Sequence, residues 1–226
     1  MKLISFLLLT IVMVSCASAQ DQVPPTDFNS GIQQKNIQIL DVRTAEEFKS
    51  GHIKGALQAD WNNKAQFNDR TQYLNKEQKV YVYCLSGGRS AAAAGMLRGK
   101  GYSVVELKGG MMAWKAAGMP VEGASTGPQM TSTDYQKAIN SNSVVLVDFG
   151  AEWCPPCKKM EPVLADLIKT NGNQFKLVKV DGGKDNDIMK QEKVEALPVF
   201  IVYKNGKEVW RHQGIVSKED LLKAIQ

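Results

Sequence analysis

Apolar and polar positions along the chain alternate between two kinds of run. Short runs of β-branched and apolar residues stand at Ile37–Asp41, 80–84 and Val104–Leu107 in the first half, and at 144–149, 175–180 and 199–203 in the second. Each is four to six residues long and apolar nearly throughout, the pattern of a strand buried on both faces. Between them lie helical patterns. Thr44-Ala-Glu-Glu47 forms a capping box that starts a helix, residues 90–100 are Ala-rich, and 111–117 make a short helix. A further helix follows Cys154, and Ser217-x-x-Asp220 caps one over 218–226. Asn205-Gly206, between apolar runs 199–203 and 208–213, marks a hairpin. Strands alternating with helices predict an α/β protein with parallel sheets covered by helices.

The pattern breaks once. Residues 122–130 read Glu-Gly-Ala-Ser-Thr-Gly-Pro-Gln-Met and hold almost nothing to bury. This predicts two domains, 23–122 and 131–226, joined by a linker at 123–130. Nine flexible residues have an r.m.s. span of about 17 Å, short enough for a site in one domain to reach the other. A different segment opens the chain. Lys2 precedes the mostly apolar run 3–14, and Ala17-Ser18-Ala19 supplies a small-x-small cleavage pattern. Twelve residues make a helix of about 18 Å against a hydrocarbon core of roughly 30 Å, too short to span. Residues 1–19 therefore read as an export signal, which directs the protein to the periplasm or cell envelope. Val14-Ser15-Cys16 also resembles a bacterial lipoprotein signal, so Cys16 is either lipidated, anchoring the protein to a membrane, or discarded.

Composition narrows the chemistry. Apolar residues are 43% and charged residues 23%, as in a globular protein. Residues 21–123 carry a net charge of +3 and 124–226 a net +1, with no basic stripe, so nucleic acid is not an expected partner. Four cysteines are too few for a disulfide scaffold. The two histidines, His52 and His212, and the cysteines form no second metal-binding pair beside Cys154 and Cys157. No metal and no cofactor are expected.

Cys84 opens the loop Cys84-Leu85-Ser86-Gly87-Gly88-Arg89-Ser90 between a buried strand and a helix. Two glycines permit positive φ, the loop N–H groups can curl around one point, the following helix adds the positive end of its dipole, and Arg89 adds a charge. A thiol there loses its proton easily, and the loop suits an anionic sulfur species. With Leu40-Asp41-Val42-Arg43, Glu47-Phe48, Gly51-His52-Ile53-x-Gly55-Ala56, Gly109-Gly110, Trp114 and Gly118-Met119-Pro120-Val121, this half resembles a rhodanese, the sulfurtransferase family. The resemblance implies a persulfide on Cys84, taken from a small donor such as thiosulfate, with Leu85, Ser86, Gly87, Gly88 and Arg89 binding the sulfur substrate. His52, Asp41 and Arg43 read as structural.

Trp153-Cys154-Pro155-Pro156-Cys157-Lys158 places a C-x-x-C at a strand-to-helix junction, a redox signal. Cys154 is expected as the more exposed, low-pKa nucleophile at the helix start, with Cys157 one turn on. Pro155 and Pro156 fall in the first turn, where their missing N–H groups leave no gap. Val147-Asp148-Phe149-x-Ala151-Glu152-Trp153-Cys154-x-Pro156-Cys157-Lys158, Pro162, Leu197-Pro198 and Lys204-Asn205-Gly206 make this half resemble thioredoxin. That resemblance implies a redox-active Cys154–Cys157 disulfide, a cis-proline at Pro198 and Trp153 as substrate-docking residues, and Asp148, beside Lys179, as the buried carboxylate that takes the proton of Cys157. Pro155, Gly150 and Val199 depart from the usual thioredoxin residues at their positions. The implied partners are protein disulfide or persulfide clients and an external reductant. Two further readings stay open: the rhodanese-like half as a binding module that does not react, and a disulfide oxidase that works in the opposite direction.

Overall fold

The computed structural model describes residues 22–123 and 128–226. Residues 1–21, which hold the expected export signal and Cys16, and residues 124–127 of the linker lie outside the described residues. The protein is a two-domain α/β structure.

The first domain is a five-stranded parallel sheet in the order β1-β5-β4-β2-β3, built from β1 (Gln22–Val23), β2 (Ile37–Asp41), β3 (Ala56–Gln58), β4 (Lys79–Tyr83) and β5 (Val104–Leu107). Helices α1 (Pro25–Ile32), α2 (Ala45–Lys49), α3 (Lys64–Thr71), α4 (Gly88–Gly99) and α5 (Gly110–Ala116) cover it. Two clusters fill the faces. Leu40, Val80, Val82, Ala93 and Leu97 pack on one side, and Phe28, Tyr81, Tyr83, Met111 and Trp114 on the other. This explains the unbroken apolar run of β4, which is covered on both faces. α2 starts at the expected capping box, with the Thr44 hydroxyl accepting from the Glu47 N–H and the Glu47 carboxylate accepting from the Thr44 N–H.

The second domain contains α6 (Ser132–Ile139), β6 (Val144–Gly150), α7 (Pro155–Asn171), β7 (Lys176–Asp181), α8 (Asn186–Gln191), β8 (Val199–Lys204), β9 (Lys207–Gln213) and α9 (Lys218–Ile225). Its sheet order is β7-β6-β8-β9. Here the parallel-sheet expectation fails in part. β6 pairs with β7 in parallel, but β8 runs antiparallel to both β6 and β9. The Asn205-Gly206 turn forces the antiparallel β8–β9 pair, because a two-residue hairpin joins only antiparallel strands. Two clusters again flank the sheet. Tyr135, Val147, Phe149 and Ile201 lie on one face, and Leu146, Leu164, Phe200 and Leu221 on the other. Among the described residues, no helix is long and apolar enough to cross a membrane.

Candidate functional site

Each cysteine that carries chemistry stands just past the C-terminal end of a central strand. In the first domain β4 ends at Tyr83, and Cys84 begins the loop into α4. Gly87 turns that loop at φ +113°, a value only glycine takes without strain, while Gly88 is already the first residue of α4 and needs no such freedom. The turn aims the Gly87 N–H at Cys84 Sγ, 3.1 Å away. The buried Ser90 hydroxyl lies 3.4 Å from the same sulfur and 3.0 Å from the Gly87 carbonyl. Burial pushes the Cys84 thiol up, but the Ser90 hydroxyl and the N–H groups of Ser90, Gly87 and Ser86 outweigh it and bring the pKa below the ordinary thiol value. α5 seats the loop from behind. Met111 and Met112 donate to the carbonyls of Cys84 and Leu85 at 2.9 and 3.0 Å. A Cβ on Gly110 would stand 2.5 Å from the Cys84 carbonyl oxygen. Cys84 itself is buried, with exposed Leu85 and Met112 on the rim.

Arg89 does not act as a free charge. Its guanidinium makes two hydrogen bonds to the Glu47 carboxylate, at 2.7 and 2.6 Å. Those bonds, with help from Thr44, hold the Glu47 carboxyl at about 2. The loop cation is therefore largely neutralised by an acid from α2. Sequence reasoning took Glu47 as a helix cap and as part of the rhodanese-like pattern, and missed its pairing with Arg89. Asp41 and Arg43 form a buried ion pair, and Arg43 also donates to the Gly51 carbonyl at 2.8 Å. His52 stacks on Phe48 with ring centroids 3.8 Å apart.

In the second domain, β6 leads through Ala151–Trp153 to Cys154, the N-cap of α7. Cys154 and Cys157 are joined in a disulfide, with Cα atoms 5.2 Å apart, and the Cys157 N–H points at Cys154 Sγ from 3.3 Å. The expectation of an exposed Cys154 is overturned. Cys154 has no exposed surface and packs with Leu197, Ile188 and Phe149, whereas Cys157 is half-buried. The Leu197–Pro198 peptide bond is cis. Asp148 lies in β6 directly across from Lys179 in β7. Burial drives its carboxyl up to about 6, the opposing pull of Lys179 being smaller. A Cβ on Gly150 would stand 3.3 Å from Asp148 Oδ1 and 3.8 Å from Cys157 Cβ. The glycine thus leaves open the space between the carboxyl and the second cysteine.

The two domains meet at a seam that the sequence did not announce. The free edge of β3 donates the Gln58 N–H to the Trp153 carbonyl at 2.8 Å. The Trp153 ring lies 5.8 Å from that of Phe48 and 5.2 Å from the Arg70 guanidinium, and Lys49 donates to Asn186 at 2.9 Å. Arg70 in turn bonds the Gln58 side chain, which donates to the Arg43 carbonyl at 2.7 Å. Asp41 stands opposite both Tyr83 and Gln58 in the sheet register. Tyr83, Asp41, Gln58 and Trp153 therefore form one row, and three strand spacings put the Tyr83 and Trp153 backbones about 14 Å apart. A cavity of about 540 Å³, lined by Phe48, His52, Trp153, Lys158 and Asp181 among others, lies along the seam. Gln58 and Arg70 carried no sequence signal beyond being polar.

Comparison with known proteins fits this division. The Rhodanese-like domain model matches residues 24–117, and the Thioredoxin model matches residues 127–226. Thioredoxin Y, chloroplastic, from Oryza sativa subsp. japonica is 40% identical over 86 residues, which are 38% of this chain and 51% of that protein. The chain spans about half the length of the first curated relatives it matches. Thioredoxin H-type 1 from Nicotiana tabacum is 38% identical over 91 residues, 40% of this chain and 71% of that relative. Among solved structures, the Rhodanese-like Domain Protein from Staphylococcus aureus is 30% identical, covering 46% of this chain and 99% of its own, with a TM-score of 0.41. Mitochondrial Thioredoxin 3 from Saccharomyces cerevisiae, in its oxidized form, is 34% identical, covering 41% and 86%, with a TM-score of 0.38. Through residues 127–226 the chain belongs to the thioredoxin family, with a rhodanese-like domain ahead of it.

Proposed function

We propose that the protein is an exported thiol-disulfide oxidoreductase whose rhodanese-like domain delivers sulfane sulfur to the dithiol. The observation that carries the oxidoreductase reading is the Cys154–Cys157 disulfide closed on the first turn of α7, beside a buried Asp148 poised near 6. In the reduced protein the Cys154 thiolate attacks a client disulfide, one client thiolate leaves, and a mixed disulfide forms. Cys157, its proton taken by Asp148, attacks the Cys154 sulfur and releases the second client thiolate. Two electrons pass from the dithiol to the client, and a dithiol reductant from outside restores the pair.

The sulfur branch begins at Cys84. Its thiolate attacks the outer sulfur of thiosulfate, sulfite leaves, and a Cys84 persulfide remains in the amide cradle. Cys154 then takes the outer sulfur, regenerating the Cys84 thiolate. Cys157 attacks Cys154, expelling hydrosulfide as the disulfide closes. The sulfane sulfur gains the two electrons that the dithiol loses. The Tyr83-to-Trp153 row supports transfer within one molecule, because the loop after β6 is bonded to the C-terminal end of β3, on the same end of the first sheet that the Cys84 loop leaves. Mass spectrometry after incubation with thiosulfate tests this branch. A persulfide on Cys84 that is consumed only when Cys154 is intact supports the relay, and no persulfide with any donor sinks it. Trp153 seated on β3 favours a second reading, in which the first domain only binds. A Cys84→Ser protein with full disulfide turnover and full client binding would establish it. The reduction potential of the pair separates reductase from oxidase. Export is part of the proposal, and the mature N-terminus, read by mass spectrometry, decides between cleavage after Ala19 and lipidation of Cys16.

A further inference from the structure

Gln58 is the last residue of an edge strand. In a parallel sheet the N–H groups alternate sides: the Ala59 N–H points inward and bonds the Asp41 carbonyl at 3.0 Å, so the Gln58 N–H points away from the sheet. Such an outward donor is normally left to water or to another chain. Here it holds the carbonyl of the residue immediately before Cys154. Phe48 and Arg70 grip the Trp153 ring, and Lys49 reaches Asn186 at the start of α8. On the other flank, Leu57 and Lys54 share a hollow with Pro155, Lys158 and Lys159 of α7. The β3 edge thus lies along the rim of the dithiol from Trp153 to Lys159. Under that rim Cys154 has no exposed surface.

We propose that the rhodanese-like domain caps the dithiol. Its β3 edge latches Trp153, and the latched form admits small disulfides and persulfides while closing Cys154 to folded protein disulfides. A protein client gains access only after the latch lets go, because it needs the same rim that β3 covers. A small sulfur compound, or the Cys84 persulfide brought by loop movement, needs only a slight loosening of that rim. This inference rests on the reading of Cys154 as the attacking sulfur and adds the substrate class that reaches it first.

Two variants of the full chain release the latch by different means. Gln58→Pro removes the outward N–H, a change that an edge strand accommodates, although the Gln58 side-chain bonds are lost too. Lys49→Asp combined with Asn186→Asp sets two carboxylates against each other across the seam and leaves the core of each domain alone. The pre-reduced proteins are alkylated with iodoacetamide and, separately, with a maleimide carried on a long polyethylene glycol chain. The rate at Cys154 is read by peptide mass spectrometry.

In the unsubstituted protein the bulky reagent lags behind the small one by far more than it does on an unstructured cysteine peptide. Each variant raises the bulky rate about fivefold, the factor that one net hydrogen bond carries, and raises the small rate less. If Gln58→Pro fails to fold, as judged by circular dichroism, the double variant decides alone. A bulky rate that is unchanged in the folded variants overturns the cap, since Cys154 is then buried by its own domain. Turnover of a small aromatic disulfide is measured in parallel. Its absence would sink the oxidoreductase reading and leave the alkylation ratio to judge the cap.

Discussion

The loops at Cys84 and Cys154 begin alike, each at the end of a buried central strand and the start of a helix, yet they treat sulfur differently. The Cys84 loop surrounds one sulfur with donors that do not titrate: the Ser90 hydroxyl and N–H groups of Ser86, Gly87 and Ser90. Its nearby charges, Arg89 and Glu47, cancel in a hydrogen-bonded pair. Such a pocket holds an anion and offers no base. The Cys154 loop has prolines in its first turn, which remove two N–H donors, and gives the sulfur a single amide, that of Cys157. In exchange it supplies a second thiol and a titratable carboxyl, Asp148. One loop is built to store a negative sulfur. The other is built to move electrons and a proton.

If that contrast is right, the largest effect belongs to Cys154→Ser. Disulfide turnover should fall by about a thousandfold or more, because the residues of such a site act as a unit. Alkylation of Cys84 at neutral pH should stay where it was. A matching fall at Cys84 would show that the two sites are not separable. Next comes Ser90→Ala. Removing one hydrogen bond to a charged sulfur raises the Cys84 pKa and slows its alkylation at pH 7 several-fold. Rates measured between pH 5 and 10 would expose the shift, and an unmoved profile would assign the cradle to the backbone alone.

Asp148→Asn probes the other loop. The folded carboxyl titrates at about 6, above its ordinary 3.8, so the fold prefers the protonated form. The stability tied to that proton is present below about pH 4 and is lost as the pH rises through 6. Replacing the acid with an amide should therefore stabilise the protein by about 2–3 kcal/mol at pH 7.5 and by nothing near pH 4. Thermal melts at the two pH values check this. The same variant should lose any inflection near 6 in the rate of Cys157 attack. Equal melting shifts at both pH values would show that burial is not what displaces this carboxyl.

These loops also mark how far the sequence could be read. The Cys84 and Cys154 motifs were legible because strand, turn residue and helix cap are all local. The antiparallel β8–β9 pair was legible in Asn205-Gly206, although the parallel reading of the whole domain missed its consequence. β3, three residues long, and α8, with only six, left no periodic pattern to find. Burial of Cys154 was misjudged because exposure is set by segments brought in from distant parts of the chain, none of which the local motif contains. The Gln58–Trp153 bond joins two residues that no local rule connects. Glu47 is the intermediate case. Its capping role follows from Thr44 three residues before, whereas its bond to Arg89 spans 42 positions.

Glu47→Gln gives the smallest effect and the finest test of the contrast. The pair with Arg89 is intact at any pH above about 3, because the carboxyl is held at about 2. Glutamine keeps an oxygen for the Thr44 N–H, so α2 retains its cap. Two consequences then oppose each other. Arg89 loses its counter-charge, which lowers the Cys84 pKa, and the loop loses a tether to α2, which loosens the cradle. The donors that face the sulfur come from Gly87 and Ser90, and α5 seats the loop through Met111 and Met112 without Arg89. The charge effect should therefore win. Cys84 alkylation at pH 7 should rise about two- to threefold at low salt, with the gain shrinking as salt screens the partly exposed guanidinium. A slower reaction that ignores salt would mean that the ion pair, and not the backbone, keeps the cradle in shape.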